Sequence, residues 1–170
     1  MTMPTREQQI DELLAKQQIH EAIMRYCRGI DRCDAELVRD CYHPDATDRH
    51  GGFKGSRDEF VAWAMKDLRR YISTTHAICN EMVEIDGDLA HSESYFFACH
   101  RMQRKDGEYD LIAAGRYVDR FERRNGEWKI AHRIVVLDWN RLDKAGSVDP
   151  SKNAPLVRGL RSREDLAYRR

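Results

Sequence analysis

The first third of the chain carries hydrophobic residues at the spacing of an amphipathic helix. The stripe consists of Ile10, Leu13, Leu14, Ile19, Ala22, Ile23, Tyr26, Cys27 and Ile30. Thr5 and Gln8 have the Thr-x-x-Gln spacing of a capping box just before this stripe. The pattern predicts a first helix over residues 6 to 28, ending near Gly29.

Two shorter helices are predicted to follow. Asp34 can cap one that Pro44 stops, and residues 44 to 55, with three glycines, read as a loop. Ser56-Arg57-Asp58-Glu59 is a second capping box and opens a third helix. The hydrophobic residues are Leu37, Val38 and Cys41 in the second helix and Phe60, Trp63, Ala64 and Leu68 on the buried side of the third.

From Ser73 onward the pattern changes to strands separated by turn dipeptides. Asp86-Gly87, Asp106-Gly107 and Asn125-Gly126 predict three hairpins. The four antiparallel strands are expected over about residues 73–85, 89–104, 109–124 and 127–139. Helices followed by strands favour an α+β fold over α/β. Strands this long curl, so helices packed on the concave side would make a cone-shaped α+β barrel with one open mouth.

The length of 170 residues suits one domain with a real core. We expect that domain to cover residues 1–140. Residues 141–170, with Pro150 and Pro155, show neither the helical nor the strand spacing of hydrophobic residues. They are predicted to form a tail that wraps the domain surface or a neighbouring subunit.

Charge and composition exclude several classes of partner. Twenty-nine basic residues balance 29 acidic ones, so neither nucleic acid nor an anionic membrane is indicated. The chain lacks a bilayer-length apolar run and a signal-peptide segment, which predicts a cytoplasmic protein. The five cysteines contain no Cys-x-x-Cys and are expected to be reduced.

No cofactor or metal is predicted. A glycine-rich phosphate loop after a strand is missing, so nucleotide cofactors are not suggested. Asp45, Asp48 and His50 lie within six residues, but their spacing matches no common metal site. A solvated polar loop is the better interpretation of these three residues.

Asp31 and His76 are the candidate catalytic pair. Removing a carbon-bound proton requires a base, and a neutral imidazole is basic near working pH. A carboxylate bonded to the other ring nitrogen would fix the tautomer. Each residue also has a structural interpretation: Asp31 could cap the turn between two helices, and His76 could be an ordinary strand histidine.

Two segments resemble the SnoaL-like branch of the NTF2-like superfamily. They are the helix-end sequence from Tyr26 to Asp34 and the Gly115-to-Arg133 stretch with its Gly-x-Tyr-x-Asp and Asn-Gly-x-Trp elements. The resemblance covers about residues 5 to 140 and implies a deep apolar pocket. Members of this branch that the chain resembles include scytalone dehydratase, hexachlorocyclohexane dehydrochlorinase and bile-acid 7α-dehydratase, which are trimeric lyases without a cofactor. It implies that Asp31 orients His76 and that His76 is the base.

Four further residues are candidates for substrate binding. The phenols of Tyr26 and Tyr42 could polarise a carbonyl or assist a leaving group, although Tyr26 also fits the core. Arg133 could bind a substrate anion or form a salt bridge at the barrel rim. His100 shares the face of His76 if Asp86-Gly87-Asp88 is a three-residue loop, and falls on the opposite face if only Asp86 and Gly87 form the loop.

The leading hypothesis is a cofactor-independent dehydratase or dehydrohalogenase acting on a small cyclic or aromatic hydrophobic compound. Ile30 occupies the position where scytalone dehydratase has a tyrosine, and this difference argues against scytalone as the substrate. The alternatives are a ketosteroid-isomerase-like isomerase using the same base, and a non-catalytic binding or structural subunit such as the β subunit of ring-hydroxylating dioxygenases. By resemblance we expect a trimer, with Tyr95, Phe97 and Val118 on the outer sheet face.

Overall fold

A computed structural model describes residues 3–146 and 157–169. Over these residues the helices are α1 (Arg6–Asp31), α2 (Ala35–Asp40) and α3 (Arg57–Leu68), with a 3₁₀ turn at Leu166–Tyr168. The strands are β1 (Tyr42–His50), β2 (Phe53–Ser56), β3 (Tyr71–Asp86), β4 (Leu89–Arg104), β5 (Gly107–Arg124) and β6 (Glu127–Lys144). None of the described helices is both long and apolar enough to cross a membrane.

The helices begin where the sequence predicts. Thr5 and Ser56 form complete capping boxes at α1 and α3. The Asp34 carboxylate accepts a hydrogen bond from the Leu37 N–H at 3.2 Å and so caps α2. Two helix ends differ. Helix α1 continues past Gly29 to Asp31, and α2 ends at Asp40, so Pro44 does not stop it.

The six strands form one sheet in the order β2-β1-β6-β5-β4-β3. The β1–β6 pair is parallel and the other pairs are antiparallel. The helices pack on one face of this sheet, and the core lies between the two layers. This arrangement confirms the predicted α+β class with a mainly antiparallel sheet. The central core residues are Ile19, Ile23, Phe60, Tyr117, Phe121 and Ile130.

The loop predicted over residues 44 to 55 is wrong. This segment forms β1, a turn at Gly51-Gly52 and β2. Asp48 and His50 are two of the side chains that β1 points inward, so hydrophobic alternation does not reveal the strand. Its pairing with β6, more than 80 residues away, is also invisible to local patterning.

A close approach of two strands accompanies a register shift in the sheet. The β5–β6 register shifts between Ala114 and Gly115. A Cβ atom added to Gly115 would lie 2.1 Å from the Val136 carbonyl oxygen, so this position requires glycine. The last strand then runs on to Lys144, beyond the predicted end at residue 139.

Residues 157–169 contact the helical side of the domain. Arg163 donates two hydrogen bonds to the Asp34 carboxylate, both at 2.9 Å. Arg161 donates to the carbonyl oxygens of Leu68 and Tyr71. Residues 147–156 of the predicted tail lie outside the described residues.

Candidate active site

Asp31 and His76 meet through two hydrogen bonds. Asp31 Oδ1 lies 2.7 Å from His76 Nδ1, and Asp31 Oδ2 accepts the backbone N–H of His76 at 3.0 Å. A carboxylate only accepts hydrogen bonds, so the short contact places a proton on Nδ1 and leaves Nε2 as the free nitrogen. Only 14% of the Asp31 side chain and 9% of the His76 side chain are exposed.

Asp31 does not cap the turn between the first two helices. Asp34 takes that role, and Cys33 turns the chain with a positive φ of 52°. The Asp31 carboxylate, at the last residue of α1, is therefore free to face β3. The capping interpretation of Asp31 is wrong for this reason.

His76 lines a small pocket of about 60 Å³ between the helices and the sheet. The rest of the wall is largely apolar and aromatic, with the half-exposed Trp63 among its residues. Such a wall suits an uncharged ring better than a polar or highly charged ligand. The aromatic lining residues are Tyr26, Phe60, Trp63 and Tyr71, and the histidines are His50, His76 and His100.

His100 lies on the same face as His76, but neither predicted loop is responsible. The β3–β4 hairpin pairs Asp86 with Leu89, so Gly87 and Asp88 form the turn. An irregularity between Ile78 and Glu81 then shifts the register by one residue and pairs His76 with Ala98. The His76 and His100 rings consequently meet edge to face with centroids 5.1 Å apart.

The structure brings Tyr26 to the pocket but not Tyr42 or Arg133. Arg133 is fully buried and forms two hydrogen bonds with Asp119, at 2.7 and 2.6 Å. Its guanidinium lies 4.2 Å from the ring centroids of both Tyr26 and Tyr117. The predicted substrate-anion role is corrected on this geometry: Arg133 pairs with an acidic group, in the core rather than at the rim.

Tyr42 is also buried in the core. Its hydroxyl donates a hydrogen bond to Asp48 Oδ2 at 2.7 Å, and the residue is 1% exposed. Burial raises the pKa of both Tyr26 and Tyr42, so neither phenol ionises at neutral pH. Tyr42 is therefore placed to orient Asp48 and does not line the pocket wall.

Asp48 and His50 are not part of a solvated loop, contrary to the sequence interpretation. Burial raises the pKa of Asp48 to about 6, although the Arg133 charge opposes this shift. Burial and the Arg133 charge lower the pKa of His50 to about 3. Asp45 does lie at the surface, where it pairs with Arg124. Within the described residues no group of three or more His, Cys, Asp or Glu side chains is arranged to hold a metal ion.

Burial keeps two of the pocket histidines uncharged. Burial lowers the pKa of His100 to about 4, and the neighbouring His76 adds to this effect. His50 and His100 are therefore neutral at pH 7 and act as hydrogen-bonding groups. Sequence reasoning missed His50 and Tyr71 as pocket residues. His50 shares the inward face of β1 with Ala46 and Asp48, and no hydrophobic alternation in the sequence marks it.

A larger groove of about 580 Å³ lies near the N-terminus of α1. Gln8, Asp11, Glu12 and Arg123 line it together with Trp128. It is wider than the histidine pocket, yet its described lining residues include no histidine that a carboxylate could orient as a base. Chemistry therefore favours the smaller pocket as the active site.

A family model described as a SnoaL-like domain matches residues 11–134. The chain belongs to the SnoaL-like family. The match confirms the resemblance found in the sequence and spans α1 to the middle of β6. A search of curated protein sequences finds no match.

Solved structures share the NTF2-like fold of this chain. A Novosphingobium aromaticivorans protein provisionally described as a scytalone dehydratase is 19% identical, with a TM-score of 0.70 over 80% of this chain and 91% of its own. The hexachlorocyclohexane dehydrochlorinase LinA-type3 from Novosphingobium barchaimii is 17% identical, with a TM-score of 0.71 over 79% and 93%. A protein of unknown function from Mycobacterium tuberculosis, solved as a single-site variant, is 26% identical, with a TM-score of 0.64 over 81% and 78%.

Proposed function

We propose that this protein is a cofactor-independent lyase, of the dehydratase or dehydrohalogenase type, acting on a small cyclic or aromatic hydrophobic compound. The observation that carries the proposal is the Asp31–His76 pair at 2.7 Å on the wall of a mostly apolar pocket. The similarity in fold to a dehydrochlorinase supports the same class of reaction.

In the proposed reaction His76 Nε2 removes a carbon-bound proton from the substrate. The electrons of the broken C–H bond form the new double bond, and the leaving group departs with its own bonding pair. Asp31 keeps Nδ1 protonated and stabilises the imidazolium that develops. A departing hydroxide can take the proton back from that imidazolium, whereas a halide leaves without one.

The pocket also supplies groups for orientation. Tyr26 and His100 are uncharged and line the pocket, so they can bind a carbonyl or hydroxyl without charging the site. An isomerase would use the same base and return the proton to another carbon. A purely structural subunit has no use for a carboxylate and an imidazole joined on a pocket wall, so the pair argues for catalysis.

We also propose that the protein is a trimer built on the outer sheet face. Tyr95, Phe97 and Val118 are 41%, 43% and 37% exposed. Phe97 meets Trp139 of β6 with ring centroids 5.8 Å apart. Exposed aromatic side chains clustered in this way favour burial against another copy of the chain.

The test of the reaction is a substrate screen. Hydroxylated and halogenated cyclic compounds are incubated with the wild type, with His76→Ala and with His91→Ala, a control on β4 whose exposed side chain lies outside the pocket. The proposal expects alkene formation with loss of water or halide for the wild type and the control only. A product formed equally by His76→Ala contradicts it, and a shifted double bond with nothing lost would establish the isomerase instead.

A further inference from the structure

A second histidine lines the pocket from the other end of the sheet, with a buried carboxylate beside it. His50 and Asp48 lie on β1, whereas His76 lies on β3 at the opposite edge of the strand order. Both histidines line the same pocket, so the curved sheet brings its two ends around one ligand space. His50 Nδ1 is 3.8 Å from Asp48 Oδ1, beyond hydrogen-bond distance.

The hydrogen-bonding capacity of His50 is unused by the described part of the protein. His50 Nδ1 and Asp48 Oδ1 are buried, and neither has a hydrogen-bond partner among the described residues. The ring stacks on Phe60 with centroids 5.4 Å apart and lies 5.8 Å from Trp63. Yet 29% of the side chain remains accessible, and the residue borders the pocket. Because Nδ1 is buried on the Asp48 side, Nε2 is the ring nitrogen that a ligand in the pocket can reach.

Asp48 is fully buried beside the Nδ1 edge of the His50 ring. None of its side chain is exposed, and Tyr42 donates a 2.7 Å hydrogen bond to its Oδ2. The strand pairing places Asp48 beside Arg133 of β6. The hydrogen bond from Tyr42 holds Oδ2, and Oδ1 is the oxygen that faces His50.

The surroundings keep His50 neutral. Burial and the nearby Arg133 charge lower the pKa of His50 to about 3, and the neighbouring His76 and His100 act in the same direction. A neutral imidazole offers one N–H donor and one acceptor. His50 can therefore bind a hydroxyl or carbonyl of a ligand, but it does not provide a positive charge for an anion.

We propose that His50, positioned by Asp48, hydrogen-bonds a second polar group of the substrate, on the side of the pocket away from Asp31 and His76. The substrate class this implies is a ring with polar groups at two separate positions, one near each histidine. The assignment rests on the proposed function for the choice of site, but it concerns binding and can be measured without turnover.

The experiment compares phenols that differ by one hydroxyl. Resorcinol is paired with 3-methylphenol and hydroquinone with 4-methylphenol, so that a methyl group replaces the second hydroxyl at similar size. Dissociation constants come from titrations followed by ¹H–¹⁵N correlation spectra of the full-length protein. For the wild type we expect at least one diol to bind about tenfold more tightly than its methyl partner, with shifts at both His50 and His76.

Three variants decide whether His50 supplies that preference. His50→Phe should remove the diol preference, and its ring can pack against Phe60 and Trp63. His50→Gln should restore part of the preference because the amide offers both a donor and an acceptor. His132→Phe is the matched control, since His132 bonds Thr47, which lies next to Asp48 and so points to the other face of β1. A diol preference that survives in His50→Phe, or phenols that shift no pocket resonance, would overturn the proposal.

The positioning role of Asp48 has its own readout. Asp48→Asn should change the ¹⁵N shifts of the His50 ring nitrogens, which report the tautomer, while those of His76 stay unchanged. Unaltered His50 shifts would contradict the role of Asp48. Absence of lyase activity combined with a His50-dependent diol preference would reject the proposed reaction and retain this subsite.

Discussion

Asp31 holds His76 at two points, the imidazole Nδ1 at 2.7 Å and the backbone N–H at 3.0 Å. One carboxylate thus fixes both the strand position and the ring of the proposed base. The end of α1 and the middle of β3 are thereby tied together at the pocket wall. The turn that follows α1 needs no help from Asp31, because Asp34 caps α2.

Asp31→Asn should reduce kcat by about 10³- to 10⁴-fold with little change in KM. The amide can no longer act as an acceptor-only partner, so it does not enforce the Nδ1-protonated tautomer. Steady-state kinetics on a substrate found in the screen measures the effect. Asp45→Asn is the control, since that carboxylate lies at the surface beside Arg124. A kcat within a few-fold of wild type would contradict the orienting role.

Arg133→Met should destabilise the fold by about 3–5 kcal/mol, because it leaves the Asp119 carboxylate buried and unpaired. Adding Asp119→Leu should recover much of the loss. Urea unfolding of the two variants measures both changes. If Arg133→Met keeps its stability but loses ligand affinity, Arg133 binds substrate after all.

Asp48→Asn should change how stability depends on pH. Burial raises the pKa of Asp48 to about 6, so between about pH 4 and pH 6 the folded protein binds a proton that the unfolded chain has lost. Wild-type stability therefore falls relative to the variant as pH rises through this window, by up to about 3 kcal/mol, and stays lower above it. Denaturant unfolding of both proteins at pH 4 and pH 7 gives the difference, and a pH-independent gap would refute this account.

Phe97→Glu should weaken the proposed trimer without unfolding the protomer. A charge placed in a buried contact is costly, whereas on the free outer face of β4 it is well solvated. Light scattering coupled to size exclusion should show trimers for the wild type and smaller species for the variant. Lys129→Glu, a charge change on β6 at a half-buried site paired with Glu127, is the control. Wild-type protein that runs as a monomer would reject the trimer.

Local signals in the sequence were sufficient for most of the fold. Thr5, Asp34 and Ser56 marked the three helix starts, and three turn dipeptides located the four long strands. Strand β1 was not predicted because its inward side chains include Asp48 and His50, which are not hydrophobic. Its burial depends on pairing with β6, and such a non-local contact cannot be read from a short window.

The site was predictable only in part, for related reasons. The pairing of Asp31 with His76 was predicted from the family resemblance. The face of His100 depends on an irregularity in β3, which no turn dipeptide indicates. Arg133 looked available for a substrate because its partner Asp119 lies on another strand. Side-chain burial in a curved sheet decides such roles, and it follows from packing rather than from spacing.

The most direct test of the central claim is kcat for His76→Ala on the best substrate of the screen, measured beside wild type and His91→Ala. If His76 is the base that removes the carbon-bound proton, kcat falls by at least about 100-fold in His76→Ala alone, since general-base catalysis contributes roughly that much or more. A His76→Ala variant that turns over at the wild-type rate would contradict proton abstraction by His76.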